Sequence, residues 1–456
     1  MLAPALRRAR ATGAPIVASA SAVLSDTLDP TATAVASRRP QEPWFCLEQP
    51  DRGGWALAGL GCVRTLEASG DGRFSVLAER WRRLAAASVC AGDDGPPGSG
   101  LAAMGGFAFA PEVDGGPAWE GFSAASMVVP EVSLSRRDGR VTLTVNLDVA
   151  PDDTLDGLIA RAERCLERLC TRPLPLLDPD PTGTYRVHSA MAPAHYEEAV
   201  VRAVERIRAG ELEKVVLARE VEVHAPRAHD PGAILGLLRE EFGSCYVFAV
   251  GRGDATFLAA SPELLVRREG QRATTVALAG SIGRSADPAV DDHLGERLLR
   301  SDKDREENAI VARRIALTLR PHAVWVTAAP EPVLVRVANI QHLATPIRAQ
   351  LARPVPALKL AGALHPTPAV GGEPRRAAAE MIPALEGIER GWYAGAVGWT
   401  DAAGDGEFCV ALRCALLRGP VARLYAGCGI VRDSDPAAEL AETEVKLGAL
   451  LPLLAG

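Results

Sequence analysis

Several features that define large classes of protein are scarce or missing in this chain of 456 residues. No apolar run reaches the roughly 20 residues that a membrane helix needs, and the apolar stretch near the N-terminus is too interrupted for a secretory signal. The nine cysteines are odd in number and include no Cys-x2-Cys pair, which argues against a disulfide framework and a cysteine zinc site. The net charge of −7 leaves no basic surface for nucleic acid. We therefore expect a cytoplasmic protein that contacts neither membrane nor nucleic acid.

The remaining composition, 48% hydrophobic and 23% charged, is that of an ordinary globular chain. Turn signals at residues 51–54 and 138–139 lie between apolar runs and predict hairpins over 44–63 and 126–149. The Ala/Ser/Thr/Pro-rich residues 1–40 are expected to be partly irregular. A Pro-rich connection at 172–183 is the best candidate boundary. Because residues 1–184 show hairpins but little independent patterning, we expect this segment to contribute strands to a core that it shares with residues 185–456.

The segment from Ala426 to Leu447 combines glycines, carboxylates and a lysine. Gly427 and Gly429 can form a turn whose backbone N–H groups bind an anion, because glycine accepts positive φ. Glu439 and Glu442 lie three apart on one face of the helix that follows, with Lys446 on the same stripe. Such a group could hold a cation together with an anionic ligand. The alternative is an exposed helix with one Glu–Lys pair.

A second helix repeats this carboxylate spacing. It starts at Ser301, and its first turns carry Asp304 and Glu307, three residues apart. Two helices that each offer two carboxylates could clamp one Mg²⁺ ion between them and a ligand oxygen. No Asp/Asn-rich loop suggests calcium, and no histidine pair suggests zinc.

Four charged or titratable residues lie among apolar neighbours in predicted strands or at their ends. Lys214 shares a strand face with small apolar residues, although an edge-strand lysine that limits aggregation would look the same. Glu263 lies between Ala-Ala and Leu-Leu, where the neutral carboxyl is favoured, although it could equally be a loop glutamate. His342 fits a core histidine. Arg413, in a strand that looks buried, needs an anionic partner.

Eight motifs occur in order over about residues 185–456, namely KVVLARE, SPELL, LAGSIGRS, SDKDREEN, IQHLATP, LHPTPAVGG, RGWYAGAVGW and AGCGIVRDSDPAAELAET. Together they resemble the chorismate-utilising enzymes, and among these they are closest to isochorismate synthases. FCLEQPDRGG and MGGFAFAP in the first part are similar to the corresponding isochorismate synthase segments. The resemblance implies an α+β fold with a large β-rich core of antiparallel sheets flanked by helices, as in anthranilate synthase component I.

The resemblance also implies roles for individual residues, with chorismate as substrate and Mg²⁺ as cofactor. Lys214 matches the base that activates water, and Glu263 matches the general acid. Glu307 and Glu442 match the Mg²⁺ ligands, while Asp304 and Glu439 fall at outer, water-mediated positions. The implied substrate-binding positions are Ala279, Gly280, Ser281, His342, Tyr393, Arg413, Gly427, Gly429 and Lys446. Asn308 departs from the histidine usual in the family, and we expect it to perturb the surroundings of the metal without abolishing binding.

Position 279 separates members of the family. Aminodeoxychorismate synthases resemble PIKGT here, with a lysine that attacks C2, whereas this chain has Ala279 and leaves room for water or ammonia. Lys214 and LAGSIGRS favour an isochorismate synthase. Salicylate synthase is the nearest alternative, followed by anthranilate synthase component I, and a catalytically silent binding subunit is a third. We expect a monomer without an obligatory protein partner, working in menaquinone or siderophore biosynthesis.

Overall fold

A computed structural model describes residues 1–24, 28–92, 95–113, 116–178 and 182–455. Within these ranges the chain forms 12 α-helices and 23 β-strands. The helices are α1 (Leu2–Thr12), α2 (Pro30–Ser37), α3 (Arg73–Ala87), α4 (Leu155–Glu167), α5 (Pro193–Arg208), α6 (Pro231–Glu241), α7 (Pro288–Arg300), α8 (Asp302–Leu319), α9 (Ala357–Leu364), α10 (Arg375–Glu386), α11 (Pro436–Leu447) and α12 (Leu451–Ala455).

The strands of the first part of the chain are β1 (Ile16–Leu24), β2 (Gln41–Gln49), β3 (Trp55–Leu60), β4 (Arg64–Ala68), β5 (Val89–Gly92), β6 (Ala102–Phe107), β7 (Ala125–Val129), β8 (Val132–Arg137) and β9 (Arg140–Val149). Those of the second part are β10 (Arg186–Ser189), β11 (Lys214–His224), β12 (Tyr246–Gly253), β13 (Ala255–Ser261), β14 (Leu264–Glu269), β15 (Arg272–Gly283), β16 (Ala323–Ala328), β17 (Val333–Arg336), β18 (Ile340–Leu351), β19 (Gly372–Glu373), β20 (Ala396–Asp401), β21 (Gly406–Val410), β22 (Cys414–Arg418) and β23 (Val421–Ile430).

Two large sheets form the core. Sheet A has 13 strands in the order β10-β11-β23-β22-β13-β12-β2-β3-β8-β9-β1-β5, with β19 also paired to β11. Sheet B has ten strands in the order β16-β18-β15-β14-β21-β20-β6-β7-β4, with β17 paired to β18. Among the described residues every pairing is antiparallel except that of β1 with β5. The predicted α+β class with antiparallel sheets flanked by helices is confirmed.

Both sheets contain strands from both parts of the chain. In sheet A, β2 pairs with β12, and in sheet B, β6 pairs with β20. The shared core packs aromatic side chains of both parts together, for example Phe107 against Phe408 with ring centroids 6.1 Å apart. Residues 172–178 of the expected connection contain neither helix nor strand, and residues 179–181 lie outside the described ranges. The division at residue 184 stays a prediction.

In the first part of the chain some local predictions are confirmed and others are wrong. The hairpin around 51–54 is confirmed as β2 and β3, and that around 138–139 as β8 and β9. The predicted hairpin over 126–149 is too long. Strand β7 belongs to sheet B, and the chain passes from sheet B to sheet A at Pro130. The expected irregularity of residues 1–40 is wrong, since α1, β1 and α2 lie there. Strand β1 is stabilised by nine cross-strand pairs with β9, which a local pattern cannot reveal. None of the described helices combines the length and apolarity that crossing a membrane requires.

Candidate active site

Lys214 is the first residue of β11, and its side chain is completely buried. Strand β11 lies inside sheet A, with β23 on one side and β10 and β19 on the other, so the edge-strand interpretation of this lysine is wrong. Burial of an ammonium group requires an ionic partner. Glu307, in the second turn of α8, supplies it, and Lys214 Nζ lies 2.7 Å from Glu307 Oε1.

Two glycines of β23 make room for this ion pair and for the pocket beside it. A Cβ atom on Gly429 would lie 2.1 Å from Glu307 Oε1 and 2.7 Å from Lys214 Cε. A Cβ on Gly427 would lie 2.9 Å from the hydroxyl of Tyr393. The predicted turn at these positions is wrong, because both glycines lie in an extended strand paired with β11. Anion binding by their backbone N–H groups stays a prediction, and the absence of a side chain leaves the space for it.

Glu263 lies between β13 and β14 and is 2% exposed. Its backbone is fixed at both ends, since its N–H donates to Ser261 Oγ and its carbonyl accepts from the N–H of Val410. Burial raises the pKa of this carboxyl to about 8, and the charges of Lys214 and Arg413 offset that effect only in part. Glu263 can therefore carry a proton at neutral pH, as a general acid must.

The raised pKa of Glu263 predicts a stability difference from the Glu263→Gln variant that depends on pH. The pKa is about 8 in the folded chain against an ordinary 4.5, so within this window folding takes up a proton. The stabilisation from this proton is complete at pH values below 4.5. As the pH rises from there through about 8 it is lost, at up to about 1.4 kcal/mol per pH unit. Glutamine does not titrate, so Glu263→Gln should gain stability relative to wild type across the window. Urea denaturation without substrate or metal measures this, and a difference that is independent of pH would contradict it.

A bulge in β15 shapes the opposite wall of the pocket. The register between β15 and β18 shifts between Leu278 and Ser281. Gly280, within the bulge, has φ +80°, and a Cβ there would lie 2.9 Å from Asp304 Cβ, so this position requires glycine on both counts. The bulge directs Ser281 Oγ to Glu442 Oε1, at 2.6 Å. Ala279 lies on the pocket wall.

Asn308 holds this bulge in place. The two hydrogens of its Nδ2 group are shared among the carbonyl oxygens of Ala277, Ala279 and Leu343, which accept at 3.2, 3.3 and 3.0 Å. Its Oδ1 atom accepts a hydrogen bond of 2.6 Å from the hydroxyl of Thr345. Asn308 thereby joins α8 to β15 and β18 through buried backbone groups. Its expected effect on the surroundings of a metal stays a prediction.

Replacing Asn308 by alanine should destabilise the chain strongly. Three carbonyl oxygens and one hydroxyl would lose a buried partner, and each group left unpaired costs about 1–3 kcal/mol. Thr345→Val is the matched control, because it removes one hydrogen bond and leaves the three donated by Asn308 intact. Urea denaturation should show a clearly larger loss for Asn308→Ala. Equal losses in the two variants would contradict a role in bracing the bulge.

Three of the four predicted metal-binding carboxylates pair with lysines. The pairs are Glu307 with Lys214 at 2.7 Å, Glu442 with Lys446 at 2.7 Å, and Glu439 with Lys303 at 2.8 Å. The chain contains four lysines, and three of them form ion pairs with this carboxylate cluster. Asp304 instead accepts a hydrogen bond from the hydroxyl of Ser301. The helix of Glu442 is not the exposed helix of the alternative interpretation, because Glu439 is 2% exposed.

The pKa values of three of these carboxylates shift in different directions. Burial raises the pKa of Asp304 and of Glu439. Burial acts on Glu442 in the same direction, but the charge of Lys446 and the hydrogen bonds from Lys446 and Ser281 outweigh it and hold its pKa at about 2. The thiol of Cys428 lies within 4.8 Å of Glu439 and Glu442, but burial raises its pKa and favours the neutral form. The remaining donors are carboxylate oxygens, which fit a hard cation such as Mg²⁺.

Arg413 provides a buried cation on the far side of the pocket. It has φ +49°, and its Nη2 lies 2.8 Å from Nε2 of His342. Burial, and then the charge of Arg413, lower the pKa of His342 well below its ordinary value, so the neutral imidazole accepts this hydrogen bond. The Nε atom of Arg413 is buried without a partner among the described residues. Within the described part of the chain no carboxylate forms an ion pair with Arg413, and a ligand carboxylate would supply the anionic partner that the sequence demands.

Most of the predicted site residues line one pocket between the two sheets. They are Glu263, Ala279, Gly280, Ser281, Glu307, His342, Tyr393, Arg413, Gly427, Gly429, Glu442 and Lys446. Lys214 reaches this pocket through its contact with Glu307, whereas Asp304 lies behind Gly280 and Glu439 pairs with Lys303.

Other pocket residues were missed. Apolar residues of the wall include Val216, Leu278 and Val370, which lie inside or next to the sequence motifs. Tyr425, whose ring stacks on that of Tyr393 with centroids 5.2 Å apart, lies just before the last motif. Lys303 lies inside SDKDREEN, and the scarcity of lysine in the sequence is a signal that could have identified it.

Comparison with known proteins shows the family to which the chain belongs. Residues 4–455 match the family described as chorismate binding enzyme. The chain is 39% identical over 448 residues to the salicylate biosynthesis isochorismate synthase of Pseudomonas aeruginosa, covering 98% of this chain and 92% of that protein. The solved structure of MenF, the menaquinone-specific isochorismate synthase from Escherichia coli, superimposes with a TM-score of 0.80 at 29% identity and covers 99% of both chains. Anthranilate synthase component I from Streptococcus pneumoniae shares the fold, with a TM-score of 0.61, 24% identity and coverage of 75% of this chain and 79% of that one.

The chain therefore belongs to the chorismate-binding enzyme family, as the eight sequence motifs predict.

Proposed function

We propose that this protein is an isochorismate synthase that converts chorismate to isochorismate with the help of Mg²⁺. The observation that carries the proposal is that a buried, protonatable glutamate and a buried arginine line one pocket, which a buried lysine reaches through its contact with Glu307. These are Lys214, Glu263 and Arg413. The names of the relatives support the same activity.

In the proposed reaction, Lys214 takes a proton from a water molecule whose oxygen forms a bond to C2 of the ring. The double bond shifts, the C4–O bond breaks, and Glu263 protonates the departing oxygen so that it leaves as water. One water enters and one leaves, so the reaction is an isomerisation. Before this step the Lys214 ammonium that pairs with Glu307 gives a proton to solvent, and afterwards proton exchange with solvent returns Lys214 and Glu263 to their starting states. Arg413 and Lys446 bind the substrate carboxylates, and Ala279 leaves space for the water where a lysine nucleophile would fill it.

Glu307 and Glu442 are the proposed direct ligands of Mg²⁺, with Asp304 and Glu439 acting through water. When bound, Mg²⁺ would hold the ring carboxylate and stabilise negative charge that develops on it. Lys214 and Lys446 form ion pairs with the two proposed direct ligands, at 2.7 Å each. The lysine partners reduce the repulsion among the carboxylates of the cluster.

Glu442→Gln should remove turnover at ordinary Mg²⁺ concentrations and leave the fold intact, because the neutral amide is a poor ligand for a hard cation. Initial rates across a Mg²⁺ titration measure the effect, and circular dichroism checks the fold. Glu306→Gln is the matched control, since Glu306 is exposed next to Glu307 on α8. Activity of Glu442→Gln equal to wild type at low Mg²⁺ would contradict the assignment.

Salicylate synthase activity is the second candidate, in which isochorismate loses pyruvate in the same pocket. It is kept because the Pseudomonas aeruginosa relative is named for salicylate biosynthesis. That name, however, describes an isochorismate synthase, and MenF is named for menaquinone. The proposed product can therefore serve siderophore, salicylate or menaquinone synthesis.

The purified chain, incubated alone with chorismate and Mg²⁺, tests the function. Chromatography with mass detection should find isochorismate at an equilibrium ratio with chorismate, and no pyruvate. Salicylate with equimolar pyruvate would support the second candidate. Anthranilate formed only with added ammonia would overturn both. Turnover by the chain alone would also test the expectation that no partner protein is needed. The cytoplasmic location and the monomeric state of the protein stay predictions.

A further inference from the structure

Three potential metal ligands meet at the exposed end of β11, away from the pocket. His188 of β10 lies directly opposite Glu222 of β11 in the antiparallel register, and His224 follows Glu222 two residues later on the same face. That face also carries Lys214, but eight residues of extended strand place Glu222 roughly 25 Å away from it. The cluster is therefore separate from the proposed Mg²⁺ ligands.

The three side chains converge on one point. Nε2 of His188 lies 3.1 Å from Oε2 of Glu222, and Nε2 of His224 lies 3.0 Å from the same oxygen. All three atoms lie within 4.8 Å of one another, and the imidazole rings stack with centroids 5.1 Å apart. A tetrahedral zinc ion with ligands at about 2.0–2.2 Å keeps neighbouring ligand atoms about 3.3 Å apart. Small side-chain movements would therefore suffice to bind an ion.

The second oxygen of Glu222 already has a partner. Arg423 of β23, which lies across from Glu222, contacts Oε1 of that carboxylate and also approaches Glu220 Oε1 at 3.3 Å. This contact fixes the carboxylate and leaves Oε2 directed to the two imidazoles. Arg423 contacts the carboxylate of Glu222 at Oε1, so Oε2 is available to a cation. The side chains of His188 and His224 are 53% and 43% exposed, so an ion can reach them from solvent.

We propose that His188, Glu222 and His224 bind one divalent ion of the zinc class. The ligands are the two Nε2 atoms and Oε2, and water completes the tetrahedron. Two nitrogens and one carboxylate suit zinc, whereas Mg²⁺ prefers oxygen ligands alone. Binding releases any proton held at either Nε2. The ion ties β10, the four-residue edge strand of sheet A, to β11, and so stabilises the start of the second part of the chain.

Calorimetric titration of the full chain with Zn²⁺, in excess Mg²⁺, should find one site. His188→Ala and His224→Ala should each lower the Zn²⁺ affinity of this site by about tenfold or more, since even the loss of an outer partner of a metal ligand has that effect. His293→Ala is the control, since His293 is exposed on α7. The Co²⁺-substituted chain should show a tetrahedral spectrum without a thiolate band, which excludes the cysteines. Hydrogen exchange of the β10 amides should slow with Zn²⁺ in wild type but not in His188→Ala.

The site would be overturned by unchanged Zn²⁺ affinity in both histidine variants or by the absence of saturable binding. A thiolate band that disappears when the exposed Cys90 is replaced by serine would also overturn it. Chorismate turnover should be the same in His188→Ala as in wild type, so this outcome is independent of the proposed enzyme activity.

Discussion

Lys214→Ala should lose about 10² to 10⁴ of the rate of chorismate isomerisation, the usual contribution of a positioned acid or base. Lys214 is completely buried, and within the described part of the chain its ammonium group has a hydrogen-bond partner in Glu307. Alanine leaves no group on that strand face that can take a proton from water, since the next residues on the face are Val216 and Ala218. Because the reaction is reversible, conversion of isochorismate to chorismate should fall by the same factor. Initial rates in both directions measure the effect.

The control for this variant is Lys359→Ala, which removes the one lysine outside the carboxylate cluster, exposed on α9. Lys214→Ala also leaves Glu307 without its partner, so Mg²⁺ affinity has to be measured in the variant. We expect metal binding that is retained or tighter, with chemistry that is slow at saturating Mg²⁺. Interconversion at a near wild-type rate under those conditions would show that another group is the base.

Glu263→Gln should bind chorismate but fail to release its C4 oxygen, with a loss of about 10² to 10⁴ in kcat. Glutamine keeps the shape of the side chain and cannot donate a proton from a carboxyl. The wild-type kcat/KM should decline as the pH rises past about 8, because burial raises the pKa of Glu263 in the free enzyme to that value and only the protonated form is an acid. Equilibrium binding of chorismate and profiles of kcat and kcat/KM against pH separate binding from chemistry.

Glu269→Gln, at the exposed end of β14, is the matched control and should match wild type in both measurements. A Glu263→Gln enzyme with near wild-type kcat, or one that has lost chorismate affinity while keeping kcat, would show that Glu263 positions the substrate and is not the acid.

Much of the site could be predicted because its residues lie in short segments with a clear local pattern. The carboxylates three apart at the start of α8 and on α11 are a property of the helix, whatever the rest of the chain does. The motif order is also a property of the sequence, and it identifies the family. The alternation of 212–224 correctly predicts β11 and the face that Lys214 shares with Val216.

Other features depend on contacts between distant residues. Lys214 and Glu307 are 93 residues apart, so neither the burial of the lysine nor its ion pair follows from its neighbours in the chain. Gly427 and Gly429 suggest a turn when read locally, but pairing with β11 makes them strand residues that leave space for side chains. The sequence shows Asn308 only as a departure from the usual histidine, and the three carbonyl groups that it binds come from β15 and β18.

The amino-acid sequence alone is enough to list the chemical groups of this protein. It also sets the distance between groups that share a helix or a strand, because that distance follows from backbone geometry. The tertiary structure alone decided which of these groups meet, how dry their surroundings are, and hence which are charged. The pairing of Lys214 and of Lys303 with carboxylates 93 and 136 residues away, and the raised pKa of Glu263, are consequences of packing between distant segments, whereas Lys446 and Glu442 lie four residues apart on α11.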